Sequence, residues 1–280
     1  MKVIIFGANG MLGTYLTKYL SLNHFEVIAL TRSDLDISNI SSQELFNFLE
    51  SKNVSKEDVI INACGSIPQR MTNLQTMIKV NSLFPTYLGD YKNYYGCNVI
   101  HITTDCVFSG KTGNYCETDL HDATDMYGKS KSLGEYKYLT TIRTSIIGEE
   151  NRNKKSLLEW VRSNKNGEIY GYHNHLWNGV TCLELSKIIS NIIHHNKFWN
   201  GVRHVYSPNT VSKYELVSII NDVYNLNIKI QPTNTDVRCF RNLYSIYNEV
   251  FTYNDIKTQI KELKNFKFKW ADSSGYLTFE

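Results

Sequence analysis

Through the first half of the chain, apolar residues arrive in short runs, and longer amphipathic stretches separate them. The runs at 3–6, 27–30, 59–62 and 99–103 lack strict alternation of apolar and polar positions. A strand buried on both faces of a parallel sheet has that signature. Residues 14–22, 41–49 and a long region carrying Asn81 read as helical instead, and Ser41-x-x-Glu44 forms a capping box at the start of the second. Residues 34–37 (Asp-Leu-Asp-Ile) read as a further short strand. Strands alternating with helices build a right-handed, doubly wound parallel sheet. Beyond Gly148 the rhythm loosens. Residues 156–162 form a short amphipathic helix, Thr181-x-x-Glu184 caps a helix through 194, and Ser212-x-x-Glu215 caps another through 224. Strand-like runs at 202–206 and 227–231 would extend the main sheet.

The turn after the first run narrows the fold further. Gly7-Ala8-Asn9-Gly10-Met11-Leu12-Gly13 stands between a strand and a helix. Such glycines let the backbone approach a pyrophosphate, which then rests on the helix N-terminus, where free N–H groups and the dipole favour negative charge. The expectation is α/β: a Rossmann-type dinucleotide-binding domain over 1–148. A smaller, interleaved α/β substrate lobe would span 149–280, with segments returning to the first domain. The second strand ends in Thr31-Arg32, where an acidic residue would hold the ribose 2′-hydroxyl of NAD. A threonine and an arginine suit a 2′-phosphate, so NADP(H) is preferred, with NAD(H) left open by nearby Asp34. Asp36 and Ile37 would flank the adenine, and the small Ala63-Cys64-Gly65 would lie near the nicotinamide ribose.

Ligands in open α/β sheets gather at strand C-termini, which puts Thr104 beside the site. Tyr127-Gly-Lys-Ser-Lys131 places a phenol and an ammonium one helical turn apart, roughly 6 Å along the axis. Together these residues make a carbonyl-reducing site. Thr104 would bond the substrate oxygen and Tyr127 transfer a proton, while Lys131 holds the nicotinamide ribose and lowers the tyrosine pKa.

Composition removes competing classes. A net charge of +3 with 20% charged residues argues for neither nucleic acid nor membrane. No stretch approaches the roughly 20 apolar residues of a spanning helix. The N-terminal run enters the glycine motif without a small-residue cleavage site, so no signal peptide is expected. The six cysteines form no Cys-x-x-Cys pair, which suits reduced thiols in a cytoplasm rather than disulfides or zinc. His173 and His175 have no convergent carboxylate, and no metal site is expected. Arg238 and Arg241 fall in a loop and could grip a substrate diphosphate.

The chain resembles an extended short-chain dehydrogenase/reductase, and most closely the dTDP-4-dehydrorhamnose reductase group acting on nucleotide sugars. The matching stretches are GANGMLG at 7–13, DLDIS at 34–38, INA at 61–63, VN at 80–81 and TTDCVFSG at 103–110. They continue with YGKSK at 127–131, Gly134-Glu135, RTSIIG at 143–148, NGVTCLEL at 178–185 and VSKYEL at 211–216. The resemblance covers nearly the whole chain in order. It implies catalytic roles for Thr104, Tyr127 and Lys131, and cofactor contacts from 7–13, 36–37, 63–65 and Thr103. The departures lie on the substrate side. Gln69-Arg70 stand where a Val-Asp pair is usual, Cys106 follows Asp105 where a tyrosine is usual, and Ile146 replaces a tryptophan.

These features lead to an NADPH-dependent reductase of a 4-keto-6-deoxy nucleotide sugar for surface-polysaccharide synthesis, with a substrate other than dTDP-4-dehydrorhamnose. A homodimer is compatible with that reading. A 4,6-dehydratase is disfavoured because Cys106 follows Asp105 where an acidic pair would be needed. An epimerase of the same superfamily, and a non-catalytic NADP-binding regulatory subunit, are the alternatives.

Overall fold

Strand β1 (Lys2–Phe6) shows why the sheet must be covered on both sides. Val3 and Ile5 belong to one apolar cluster and Ile4 and Phe6 to another, all at most 2% exposed. Successive strand residues point to opposite faces, so a run without polar positions needs a layer above and below. The computed structural model, describing residues 1–68, 73–150 and 154–266, supplies both.

After β1 come α1 (Met11–Leu22), β2 (Glu26–Leu30), α2 (Ser42–Ser51), β3 (Val59–Asn62), α3 (Leu74–Ile78) and α4 (Phe84–Tyr95). Next are β4 (Asn98–Thr104), α5 (Met126–Leu133), β5 (Thr140–Thr144), β6 (Ile146–Ile147), α6 (Leu157–Ser163), β7 (Glu168–Tyr172) and β8 (His175–Trp177). The rest are β9 (Val180–Thr181), α7 (Cys182–His194), β10 (Gly201–His204), β11 (Val211–Ser212), α8 (Lys213–Tyr224), β12 (Lys229–Thr233), β13 (Cys239–Phe240) and α9 (Ile256–Asn265).

Six strands form one parallel sheet in the order β10-β5-β4-β3-β1-β2. Leu16 of α1, Ile189 of α7 and Ile260 of α9 cluster with Ile5, Ile61 and Ile100 on one face. Leu45 of α2 and Leu88 of α4 cluster with Ile4, Ile60 and Val99 on the other. Burying a large aliphatic side chain in such layers contributes about 1.5–3 kcal/mol. The chain's later half also forms three small sheets: β11-β8-β13, β12-β7 and β6-β9.

Two expected strands come out differently. Residues 34–37 are no strand. The Asp34 carboxylate accepts from the Thr31 N–H and hydroxyl, both at 2.8 Å, and Asp36 caps a 3-10 turn, Ile37–Asn39, by accepting from Ser38 N–H at 3.0 Å. Short acidic side chains that bond the local backbone compete with strand pairing, and β2 is therefore the sheet's edge. The run at 202–206 joins the main sheet as β10, but the one at 227–231 becomes β12 and pairs with β7 instead. Asn225 and Asn227 both take left-handed backbone angles, φ 54° and 53°, and turn the chain away after α8.

One helical irregularity positions the site. Between α3 and α4 the helix widens to a π segment, Lys79–Leu83, with Asn81 fully buried in it. Its amide bonds both backbone groups of Ser66, at 2.8 and 2.9 Å, and donates to Ser130 Oγ at 3.0 Å. Ser82 Oγ donates to the Ser130 carbonyl at 2.7 Å. A π turn is a common way to present such inward groups, and here it clasps α5 to the loop after β3.

Candidate active site

The glycine turn lies across the C-terminal ends of β1 and β2. The N–H groups of Gly7 and Ala8 donate to the Leu30 carbonyl at 3.1 and 3.0 Å. Gly7 has φ +81°, and a Cβ on Gly13 would stand 2.1 Å from the Gly7 oxygen. No other residue lets α1 start this close to the strand. Gly10 is the N-cap of α1 and no side chain caps the helix, so its first amides are left for another acceptor. Asn9 is exposed, Met11 half-buried, and Leu12 belongs to the core. Ala63 N–H donates to the Phe6 carbonyl at 3.1 Å, and Cys64 Sγ lies 2.9 Å from where a Gly7 Cβ would be. Residues 63–65 thus adjoin the glycine turn.

At the end of β2, Asp34 is engaged by Thr31, while Arg32 is 73% exposed on its side chain and only loosely paired, Nε to Asp36 Oδ1 at 3.3 Å. An exposed pair of this kind contributes little. Its guanidinium can turn to another anion at small cost.

Strand β4 and helix α5 bring the three expected catalytic residues together. Thr104, the last residue of β4, donates to Asp105 Oδ1 at 3.1 Å and accepts from Cys106 N–H at 3.2 Å. The Tyr127 phenol lies near enough to Thr104 for the Thr104 side chain to lower its pKa. Gly128 makes this approach feasible: a Cβ there would be 2.2 Å from the Cys106 carbonyl oxygen and 2.5 Å from Ala123 Cβ. Lys131, 3% exposed, donates from Nζ to the Ile102 carbonyl at 2.8 Å. Burial lowers its pKa to about 8, against the raising influence of Glu135 and Cys64. Burial also pushes the Tyr127 phenol well above its ordinary value, with Cys106 adding to the rise and the Thr104 side chain opposing it. The lowering expected from Lys131 is not among the influences on the phenol, and desolvation, which penalises the phenolate, prevails. Tyr127 stands as a protonated phenol.

Beside them, Thr103 is buried and its hydroxyl has no hydrogen-bond partner among the described residues. Asp105 is 4% exposed, and its pKa is raised by burial while Arg241 and Lys213 pull it down. Cys106 has its thiol pushed up to about 12 by burial and by Asp105, which leaves it inert as a nucleophile. Arg241 reaches this group, donating from Nη1 to Cys106 Sγ at 3.3 Å and from Nε to the Phe108 carbonyl at 3.0 Å. Arg238 does not. It is exposed and lies over the Phe240 ring at 5.3 Å, because it precedes β13 while Arg241 follows it. Gln69 and Arg70 lie outside the described residues. Ile146 packs against the larger apolar cluster. Among the described residues no group of three or more His, Cys, Asp or Glu could hold a metal ion, and no helix is long and apolar enough to cross a membrane.

Three features carry no mark in sequence spacing. Asn81 and Ser130 hold α5 in register, although they are 49 positions apart. Lys213, at the start of α8, acts on Asp105 across the lobe. Arg143, 1% exposed, donates to Glu135 through Nε at 3.0 Å and through Nη2, and also meets His204 Nε2 at 2.8 Å and His121 Nε2 at 2.7 Å. Both histidines are held neutral by burial beside that guanidinium, His204 down to about 4. The resemblance marks Glu135 and Arg143 only as members of two separate matching stretches. Their pairing needed the fold.

The chain is similar to proteins already known. The model of the RmlD substrate binding domain matches residues 1–241. The dTDP-4-dehydrorhamnose reductase of Aggregatibacter actinomycetemcomitans is 33% identical over 237 residues, covering 79% of this chain and 78% of that protein. The spore coat polysaccharide biosynthesis protein SpsK of Bacillus subtilis is 34% identical over 149 residues, about half of each chain (52% and 51%). The dTDP-4-dehydrorhamnose reductase of Bacillus anthracis, solved in complex with NADP, superposes with a TM-score of 0.79 at 20% identity, over 95% of this chain and 99% of that one. That last likeness speaks for the fold. With the family model spanning both the sheet and most of the later half, this chain belongs to the RmlD substrate-binding-domain family.

Proposed function

We propose that the protein is an NADPH-dependent reductase of a 4-keto-6-deoxy nucleotide sugar, working in the cytoplasm on precursors of surface polysaccharide. The observation that carries this reading is the placement of Tyr127 on α5 beside Thr104 at the end of β4, one turn from the buried Lys131. The reductase named in the Aggregatibacter relative and the polysaccharide role named in SpsK support it.

The residues fit a nicotinamide dinucleotide. Gly7, Gly10 and Gly13 leave a cradle that a Cβ would fill, the α1 amides have no side-chain cap, and the buried Thr103 hydroxyl lacks a partner. Thr31 and Arg32 would hold a 2′-phosphate, since Asp34 is occupied locally. Lys131 would hold the ribose beside Ala63–Gly65. When bound, the nicotinamide supplies the hydride.

The chain itself does the acid chemistry. Thr104 and Tyr127 hold the carbonyl oxygen, and Tyr127 gives it a proton as it becomes an alcohol oxygen. A phenol kept protonated by burial is the form that reduction requires. Lys131 sets the upper pH limit: its pKa is lowered to about 8, so it is cationic below that and neutral above. The expected pH profile of kcat/KM for keto-sugar reduction is level below about pH 8 and falls above it. A rate that stays level through pH 10 would mean the ammonium charge is unused.

The sugar is read as one other than dTDP-4-dehydrorhamnose, because Cys106 and Ile146 stand where the resemblance leads one to expect aromatic rings and Gln69-Arg70 where it leads one to expect Val-Asp. A panel of dTDP-, UDP- and GDP-linked 4-keto sugars, followed by loss of NADPH absorbance, tests both parts. Turnover of at least one sugar supports the reductase. A tenfold or greater preference for dTDP-4-dehydrorhamnose would remove the substrate assignment, and no turnover of any would remove the reductase.

A further inference from the structure

Three chemical groups follow one another at four-residue spacing along α5: the Tyr127 phenol, the Lys131 ammonium and, just past the C-cap Gly134, the Glu135 carboxylate. Residues four apart share one face of a helix, roughly 6 Å along its axis. Proton transfer involves the first two, and the third sits behind them. The Glu135 side chain is 4% exposed, and Arg143 of β5 holds both its oxygens, Nε to Oε1 at 3.0 Å and Nη2 to Oε2. His121 Nε2 stands 3.5 Å from Oε2. A forked contact of this kind fixes a carboxylate in one orientation.

Lys131 needs such an anion. It is 3% exposed, and its ammonium donates to a neutral acceptor, the Ile102 carbonyl. A buried ammonium without a counter-charge sheds its proton. His101, fully buried on β4, stands near it but offers no negative charge. Asn62 Oδ1 accepts from the Cys64 N–H at 3.1 Å, so the Asn62 amide N–H faces His101 Nδ1 at 3.1 Å and the imidazole proton is on Nε2. Burial and the nearby Lys131 keep that ring neutral. Cys64, in the loop after β3, favours the charged lysine less than Glu135 does. Farther along, burial beside Arg143 holds His121 and His204 neutral. Among the described residues, the two cations Lys131 and Arg143 thus share the Glu135 carboxylate.

We propose that Glu135, clamped by Arg143, is a positioning residue that keeps Lys131 charged, so that the working pH range of the site is set one helical turn behind the catalytic pair. This rests on the reductase reading and deepens it by naming the group that maintains the ammonium. Glu135 touches neither sugar nor nicotinamide and acts through Lys131 alone.

The test reads Glu135→Gln, which keeps the shape and removes the charge, in two ways. NMR titration of the full chain carrying 13C-labelled lysine, without cofactor or sugar, follows the protonation of Lys131, whose signal is assigned by its loss in Lys131→Met. The expected midpoint is about 8 in wild type and about one pH unit lower in Glu135→Gln. For keto-sugar reduction, kcat/KM should stay within about twofold of wild type at pH 6, where the ammonium is charged in both, and fall roughly fivefold below it at pH 8. A carboxylate that only braces the fold would lower both values alike. Glu135→Asp, which keeps the charge, should return the midpoint most of the way. If Glu135→Gln does not fold, the double variant Arg143→Met/Glu135→Gln strands neither charge and carries the same expectation. An unmoved Lys131 midpoint, or an equal rate loss at pH 6 and pH 8, overturns the assignment and leaves the reductase reading standing. A lowered midpoint in a chain whose wild type reduces no keto sugar upholds the hold of Glu135 on Lys131 and overturns the reductase reading.

Discussion

Tyr127→Phe is expected to lower kcat on the keto sugar by about 10²–10⁴-fold while leaving NADPH affinity nearly unchanged. The ring should keep its place, because its position comes from the backbone. Gly128 lets α5 lie against Cys106, and the Asn81 and Ser82 bonds to Ser130 fix the helix from behind. Only the hydroxyl is lost, and with it the proton donor beside Thr104. Cys106 is close, but a thiol pushed up to about 12 and tied to Arg241 is a poor substitute acid. Single-turnover rates, with cofactor binding titrated by fluorescence, separate chemistry from affinity. A variant retaining more than half of the wild-type rate would refute the acid role.

The second large effect concerns stability. Arg143→Met should cost about 3–5 kcal/mol, since removing one partner of a buried ion pair strands the other. The stranded group is Glu135, whose side chain is 4% exposed and accepts two bonds from Arg143. His121 and His204 would also lose a donor, and the Phe108 ring would lose the guanidinium 5.0 Å from its centre. The damage should reach beyond β5. His121 belongs to the loop that follows β4, His204 to the edge strand β10, and the His204 ring bonds the Tyr244 carbonyl at 2.7 Å. Urea unfolding of Arg143→Met beside Glu135→Gln and the double variant measures it. The double variant should be less destabilised than the sum of the two singles, because the pair is coupled. A loss below about 1 kcal/mol for Arg143→Met would show the network to be solvated rather than buried.

Much of this was legible in the sequence because it depends on local patterns. The strand at 59–62 coincides with β3, and the capping boxes at Ser41 and Ser212 open α2 and α8 as expected. Glycine spacing located the turn between β1 and α1, and Tyr127 and Lys131 lie together on α5. Residues 34–37 went astray because apolar–polar alternation is ambiguous over four residues, and two aspartates preferred to bond the backbone. The run at 227–231 was a strand, yet its partner could not be read, since register and neighbour depend on residues about 60 positions away.

The sequence by itself determined the alternation of elements, the glycine cradle and the phenol–ammonium pair, because each is written within one or two helical turns. Only the tertiary structure decided which groups set their chemistry. Burial makes Tyr127 a protonated acid and brings Lys131 toward neutrality. The lobe carries Arg241 and Lys213 to Asp105 and leaves Arg238 outside. Desolvation and long-range charge depend on what surrounds a group in three dimensions. Those surroundings come from segments up to 135 residues apart, the separation between Cys106 and the arginine that bonds it.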